Sequence, residues 1–263
     1  MDRVKKCNDT ATIPKVANAG EVLVKDGFKV QVMHNGILIH EGCYHQQWVT
    51  DIIKELKGHH EPQEEKLFHE ILKVIPDKGI MIECGSFWSY YSLWFHHIIS
   101  NPTNIMVEPM PLKCEIGELN FKLNGYSGEF INGYIGDTYR PSSVFRDWDG
   151  SHYNIPSISI DWLMETYSLS TLHLLHADIQ ANEQTLLKSA EVTLKAHKID
   201  FLFLGTHSPN KPIREALQGY GYHILQEFEA HESFFDDGLI VACAPHKKDL
   251  IPKDKLKISK YIS

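Results

Sequence analysis

Four carboxylates follow one another at the ends of short apolar runs: Glu83 after IMI, Glu108 after NIMV, Asp137 after YIG and Asp178 after LHLLHA. An apolar run of this length that stops at an acid reads as a buried strand carrying a charged side chain to a sheet edge. A row of such acids can accept hydrogen bonds from the hydroxyl or amino groups of a ligand, and open α/β sheets bind their ligands at that edge. The last acid lies in LLHADIQANE, which also holds His176, Gln180 and Glu183, and His207 follows the next apolar run, IDFLFLGT. Histidine beside carboxylate suits acid–base work, because an imidazole with a pKa of about 6.5 is largely unprotonated at neutral pH yet able to take a proton. The same residue types ligate divalent cations, so a base and a metal remain alternatives at this cluster.

The first acid opens the run IECGSFWSYYSLWF, in which Gly85 permits a tight turn and an aromatic-rich helix begins near Ser89. A dinucleotide site would carry G-x-G-x-x-G here, so that a pyrophosphate lies against the helix N-terminus. Only Gly85 is present. A pyrophosphate is poorly served, whereas a ligand carrying a cation beside Glu83 is well served. The loop continues through Ser86, Phe87 and Trp88, and the two aromatic faces can pack near a cationic or flat ligand. Glu108, followed by Pro109, stands about 25 residues after Glu83, where Rossmann-type folds place a carboxylate on ribose hydroxyls. Asp137 suits a purine amino group or an ordinary Gly-Asp turn, and Glu83 and Glu108 also suit helix N-termini.

These residues need a sheet to hold them. GIMIEC, NIMVEP, GEFINGYIG, LHLLHAD and IDFLFLG read as buried strands alternating with helical segments, which predicts a parallel sheet with helices on both faces. YHILQEFEA and GLIVACAP predict a closing antiparallel pair with FFDDG as its turn. Upstream, Phe28 to His40 alternates around Asn35-Gly36 as a β-hairpin. Gln46 to Leu56 and Glu64 to Ile75 carry helical spacing and are expected to form a cap, from which Glu61 and Gln63 can reach ligand. The boundaries expected are 1–78 for hairpin and cap, 79–246 for a catalytic domain, and 247–263 for a basic tail with partial order.

The chain of 263 residues is 43% hydrophobic and 23% charged, enough to bury a full core, and its net charge of −8 argues against a nucleic-acid footprint. Five scattered cysteines without a CxxC pair fit a reducing compartment. The opening MDRVKKCNDT lacks a secretion signal and no run suits a membrane span, so a soluble cytoplasmic protein without membrane insertion is expected.

Taken together the motifs resemble the FkbM-type methyltransferases, whose pattern reads D-x-G-A-N-x-G-Y-Y-S-L, then F-E-P-x-P, then K-x-D-x-E-G-x-E-x-x-x-L. Glu83, Gly85 and Tyr90-Tyr91-Ser92-Leu93 match the first motif, Glu108-Pro109 and Pro111 the second, and Asp178, Glu183 and Leu187 the third, with Asn120 to Asn124 matching the helix between. The span is about Glu61 to Val241. The departures are Phe87 and Ser89 for the family's Asn and second Gly, and His176, Gln180 and Ala181 for its Lys, Glu and Gly. His207 keeps the His of a frequent E-x-H, with Gly205 in place of the acid.

The resemblance implies a Rossmann-like class I methyltransferase with a mostly parallel seven-stranded sheet, an N-terminal hairpin and a helical cap. It implies S-adenosylmethionine held by Glu83, Gly85, Ser86, Phe87, Trp88, Glu108, Pro109, Asp137 and Asp178. It implies transfer to a hydroxyl of a small-molecule or glycan acceptor, with His207, His176 and Asp178 as catalytic residues. Glu61, Gln63, Gln180 and Glu183 are expected at the acceptor, and a divalent cation on Asp178 with His or Glu183 is the rival to a histidine base. N-methylation of a small molecule or peptide, and an inactive cofactor- or glycan-binding module, are the competing readings.

Overall fold

The structure, a computed structural model, describes residues 3–147 and 150–262. Its centre is a seven-stranded sheet of β4 (Ile80–Cys84), β5 (Thr103–Glu108), β6 (Glu129–Asn132), β10 (Leu172–Ala177), β11 (Ile199–Thr206), β12 (His223–Phe228) and β13 (Gly238–Cys243). The spatial order is β12-β13-β11-β10-β4-β5-β6, with β13 antiparallel to both neighbours and the other pairings parallel. The chain winds outward from β4 in one direction and from β10 in the other. The switch point between these two strands is where such sheets open a crevice at their carboxyl ends. This is the Rossmann-like methyltransferase arrangement that the resemblance implies.

Successive residues of the central strands face opposite layers. Met81, Leu174, Phe201 and Phe203 join a core with Phe68, Trp94 and Phe95, while Ile82, Leu175, Leu202 and Leu204 join another with Leu163, Leu186 and Leu217. The first layer includes α3 (Tyr90–Ile98) and α4 (Pro111–Leu123); the second includes α5 (Ile160–Thr166), α6 (Glu183–Ser189) and α8 (Lys211–Gly219), with α7 (Glu191–Lys195) beside them. Burial on both faces explains why these strands read as unbroken apolar runs.

The N-terminal region holds β1 (Val22–Lys25), β2 (Phe28–Val32) and β3 (Leu38–His40) as an antiparallel sheet, then α1 (Gln46–Glu55) and α2 (Pro62–Leu72). The expected hairpin is present and gains β1 as a third strand. Its turn takes only Gly36 into the left-handed region, at φ 90°, with Gly36 N donating to Met33 O and Met33 N to Ile37 O. One positive φ is enough in this longer loop.

Two features differ from the sequence reading. GEFINGYIG is not one strand but β6 and β7 (Tyr134–Ile135), parted at Gly133, where a Cβ would lie 3.0 Å from Ile158 and Pro156. β7 leaves the main sheet to pair with an unforeseen arm, β8 (Arg140–Arg146) and β9 (His152–Ile158). The Lys-rich end is also packed: Ile251 and Leu256 are buried, and Ser259 accepts from Gln63 while donating to Asp9. Among the described residues no helix is long and apolar enough to cross a membrane, and the five cysteines are free thiols.

Candidate active site

Strand β4 delivers Glu83 and then turns at Gly85, whose φ of 73° and whose neighbours both demand glycine: a Cβ there would lie 1.8 Å from Asp178 O. The turn is held by Gly85 N donating to Val107 O and Asp178 N to Cys84 O, so the ends of β4, β5 and β10 close on one point. The loop then takes two non-glycine residues through the left-handed region, Phe87 at 40° and Ser89 at 59°. These are the positions where the family pattern has Asn and Gly, the residues that tolerate this conformation best. Here Phe87 and Ser89 adopt it without being either residue.

Glu83 accepts from Ser92 N in the first turn of α3, and burial pushes its carboxyl up to about 7. Glu108 accepts from Phe87 N at 3.0 Å and Met110 N at 2.9 Å, one on each carboxylate oxygen, and burial raises it as well. The two backbone donors fix its orientation and leave each oxygen a lone pair toward the cavity that it lines. Trp88 is stacked between Tyr44 and Tyr90 at 4.7 and 5.0 Å, and Lys113 Nζ sits 4.6 Å above the Phe87 ring.

At the end of β10, His176 Nε2 bonds Glu64 at 2.8 Å, and burial lowers the pKa of the imidazole despite Glu83 and Asp178 nearby. Asp178 follows with 37% of its side chain exposed, to the cavity rather than to bulk water, and burial in that recess pushes its carboxyl up to about 7 against the pull of His207. His207, past the end of β11, has Nδ1 on Glu183 at 3.1 Å and Nε2 facing Asp178 at 3.4 Å and Asp237 at 3.3 Å. Burial alone would lower the His207 pKa, but Asp237, Glu183 and Asp178 together raise it to about 10. The Gln180 amide nitrogen also stands 2.7 Å from Nε2, which is a hydrogen bond only when Nε2 carries no proton. The carboxylates decide the matter in favour of a proton there, with the Gln180 amide turned over to present its oxygen.

The cap closes the other side. Buried Glu65 accepts from both His59 and His60, whose partner Glu61 accepts from Tyr91. Burial alone would lower the His60 pKa, but Glu61 and Glu65 raise it to about 10. Between cap and sheet edge lies a cavity of about 540 Å³ lined by Tyr44, Glu61, Glu64, Trp88, Glu108, Asp178, Phe235 and Asp237 among others.

The structure brings Glu61, Gln63, Glu83, Gly85, Ser86, Phe87, Trp88, Glu108, Pro109, His176, Asp178 and Gln180 to this one cavity. Asp137 does not reach it: its side chain is 56% exposed and paired with Arg140, because the chain turns away into β8. Neither Glu183, buried behind His207, nor His207 itself lines the cavity; His207 meets it only through Asp178 and Asp237, which do. Gln63 lines the wall but commits its amide to Glu232 O, Ser259 O and Phe234 N. Asp237, Glu64 and Tyr44 were not singled out from the sequence. Asp237 meets His207 because Gly238 pairs with Thr206 in the antiparallel register of β13 and β11, and the acidic FFDDG was its only trace in the sequence.

The profile of the Methyltransferase FkbM domain matches residues 78–231, more than half of the chain. The chain belongs to the FkbM methyltransferase family and is an S-adenosylmethionine-dependent methyltransferase. No curated protein matches it significantly. Among solved structures, M. capricolum TrmK in complex with S-adenosyl-homocysteine is similar with a TM-score of 0.47 and 12% identity, over 68% of this chain and 67% of that one. A putative tRNA (m1A22) methyltransferase of Streptococcus pneumoniae in complex with S-adenosyl-L-methionine gives 0.44 and 14% over 67% and 71%. Precorrin-6y C5,15-methyltransferase from Geobacter metallireducens gives 0.44 and 9% over 70% and 87%.

The residues present fit the methyl donor. Ser86 Oγ and His176 Nδ1 are buried at the cavity wall without a hydrogen-bond partner among the described residues, polar atoms of the kind a ligand satisfies. The acids around them suit a sulfonium and an ammonium, and the volume falls in the range of about 300–1,000 Å³ usual for small-molecule sites.

Proposed function

We propose that the chain transfers the methyl group of S-adenosylmethionine to a hydroxyl oxygen of a saccharide or similar polyhydroxylated small molecule, with residues 1–78 forming the cap over the acceptor. The observation that carries this reading is the position of Asp178, which ends β10 against the Gly85 turn and opens into the cavity. Glu83, Gly85, Ser86, Trp88 and Glu108 hold the donor, which supplies an electrophilic methyl carbon. The acceptor lies on the cap side, where the Tyr44 and Phe235 rings take the C–H surface of a sugar ring and Glu61 and Glu64 take its hydroxyls.

The reaction is an in-line displacement: the acceptor oxygen bonds to the methyl carbon as the carbon–sulfur bond breaks, and the hydroxyl proton must leave. His207 is committed to three carboxylates, and His176 has Nε2 on Glu64 and Nδ1 facing, at 3.9 Å, the Glu83 assigned to the donor, so the group left to meet the hydroxyl and take its proton is Asp178. The histidines position the carboxylates. Glu61, Asp147 and Asp237 on the wall oppose a phosphodiester backbone and outnumber Lys113 and Arg146 there, which supports a small acceptor over nucleic acid. A cytoplasmic setting without membrane attachment belongs to the same proposal.

Asp178→Asn tests the reading. With a panel of sugars, methyl transfer to oxygen is expected to fall at least ~100-fold in kcat while S-adenosylhomocysteine binding by calorimetry persists. An amine acceptor, which needs no protein base once deprotonated, would instead tolerate the substitution, and full activity of Asp178→Asn on a hydroxyl would sink the proposal.

A further inference from the structure

Two side chains of the cavity wall, Asp178 and Asp237, and His207 beside them turn single ligand-type atoms toward one another. They come from the ends of three strands, β10, β11 and β13, so backbone hydrogen bonds rather than loop conformation fix their separation. His207 Nε2 is 3.4 Å from Asp178 Oδ1 and 3.3 Å from Asp237 Oδ1, and the three ligand atoms all lie within 4.8 Å of one another. Those distances exceed the roughly 2.7–2.9 Å of a charge-assisted hydrogen bond. They are close to the spacing of adjacent ligands around a six-coordinate ion, since bonds of about 2.1 Å at right angles place their ends about 3.0 Å apart.

Behind the imidazole stands buried Glu183, accepting from Nδ1 at 3.1 Å. A carboxylate on the far nitrogen of a ligating histidine fixes the tautomer and aims the Nε2 lone pair forward, the usual support of a metal-bound imidazole. Nε2 has three partners open to it: a proton shared with the two carboxylates, the Gln180 amide at 2.7 Å, or a cation shared with both acids, for which the Gln180 side chain turns aside. Asp178 and Asp237 each keep 37% of the side chain exposed, toward the cavity, which leaves room for water or an acceptor oxygen to complete the coordination.

The geometry points to a divalent cation site formed by Asp178, His207 and Asp237, with Glu183 as its supporting carboxylate. One imidazole and two carboxylates form a hard, oxygen-rich set that suits magnesium or manganese over the thiophilic metals. The inference rests on the proposed function only for what the cation does: placed beside the acceptor, it would withdraw charge from the hydroxyl oxygen, whose proton would pass to the Asp178 carboxylate oxygen left uncoordinated. Binding itself depends on no acceptor.

The test is binding of Mn²⁺ to the purified, chelator-treated protein, read by the electron paramagnetic resonance signal of free Mn²⁺ and by the rise in Tm that a bound ion produces. One ion per chain is expected. Asp237→Asn is expected to abolish binding, and Glu183→Gln to weaken it by about 10-fold or more. Asp137→Asn, an exposed acid outside the cavity, should leave it intact. If Asp237→Asn does not fold, Asp237→Ser and His207→Gln answer the same question, each checked by circular dichroism. No binding at millimolar Mn²⁺, or binding indifferent to Asp237 and His207, overturns the site and leaves His207 as an imidazolium bridging three acids. Because the readout contains no acceptor, its failure is separate from failure to methylate a sugar.

Discussion

Four residues of the ligand loops hold left-handed backbone without being glycine: Phe87, Ser89, Gln180 and Ala181, with φ of 40°, 59°, 53° and 67°. In the family pattern Phe87 replaces Asn, and Ser89 and Ala181 replace Gly, so what reads in the sequence as two damaged motifs is in the structure two turns that hold L-residues in left-handed backbone. The identity of a loop residue is visible in a sequence; its φ is visible only when the residue is Gly. Each L-residue held in this region costs roughly 1–2 kcal/mol. Ser89 adds a buried hydroxyl without a hydrogen-bond partner among the described residues, lodged where a Cβ on Gly117 would lie 2.4 Å away. Ser89→Gly is therefore expected to stabilise the protein by about 1 kcal/mol after the greater freedom of glycine in the unfolded chain is subtracted. Urea unfolding measures it, and a lower midpoint would show that the hydroxyl has a use in the fold.

Between elements, the buried amide of Asn120 joins three parts of the molecule. Its Oδ1 accepts from His40 N at the edge of the cap sheet, and its Nδ2 donates to Trp88 O in the ligand loop, all from helix α4. Asn124, one turn on, accepts from Leu38 N and donates to Leu38 O. Asn120→Ala would leave a buried N–H and C=O unsatisfied on two other elements, and a loss of about 2–3 kcal/mol is expected by denaturant unfolding. A loss under about 0.5 kcal/mol would mean that the cap sheet is anchored elsewhere. The strands of the main sheet were legible because both faces are buried and their residues are apolar throughout. The arm of β8 and β9 was not, because RPSSVFR and HYNIPSI are half-exposed and carry Pro141 and Pro156, which argue against strand on sequence grounds. Strand existence could be read locally; the pairing that sends β7 away from β6 could not.

Across the whole molecule, the cap is bound by buried charge. His60 bonds Glu65 and pairs with Glu61, and the Tyr44, Tyr90 and Tyr91 rings around it stay neutral because burial raises them well above the usual phenol range. Its folded pKa of about 10 lies above the unfolded value of about 6.5. The stability it contributes is thus fully present below about pH 6.5 and is lost as pH rises through about 10. Glu65 acts in the opposite sense: burial would raise it, but His59 and His60 hold it well below the usual range, so its contribution disappears only in acid. Unfolding free energy should decline between pH 7 and 10, and His60→Gln should be less stable at pH 6 with a shallower decline. Equal slopes for both proteins would refute this account of the cap. Residues 59–65, HHEPQEE, form a polar run between two helical segments of the sequence, and a polar break and a buried ionic cluster look alike until the fold closes over them.

The bonds of Gln63 bear on how ligands come and go. That one amide ties α2 to the backbone at Glu232 and Phe234 and to the chain end at Ser259, so the segment leading to Phe235 and Asp237 cannot swing outward without stripping three hydrogen bonds from a buried group. On another part of the wall Phe145 and Arg146 line the cavity from a two-stranded arm whose residues are mostly exposed or half-exposed. The two rims are thus unlike: one is tied down at a buried amide, and the other stands out on exposed strands.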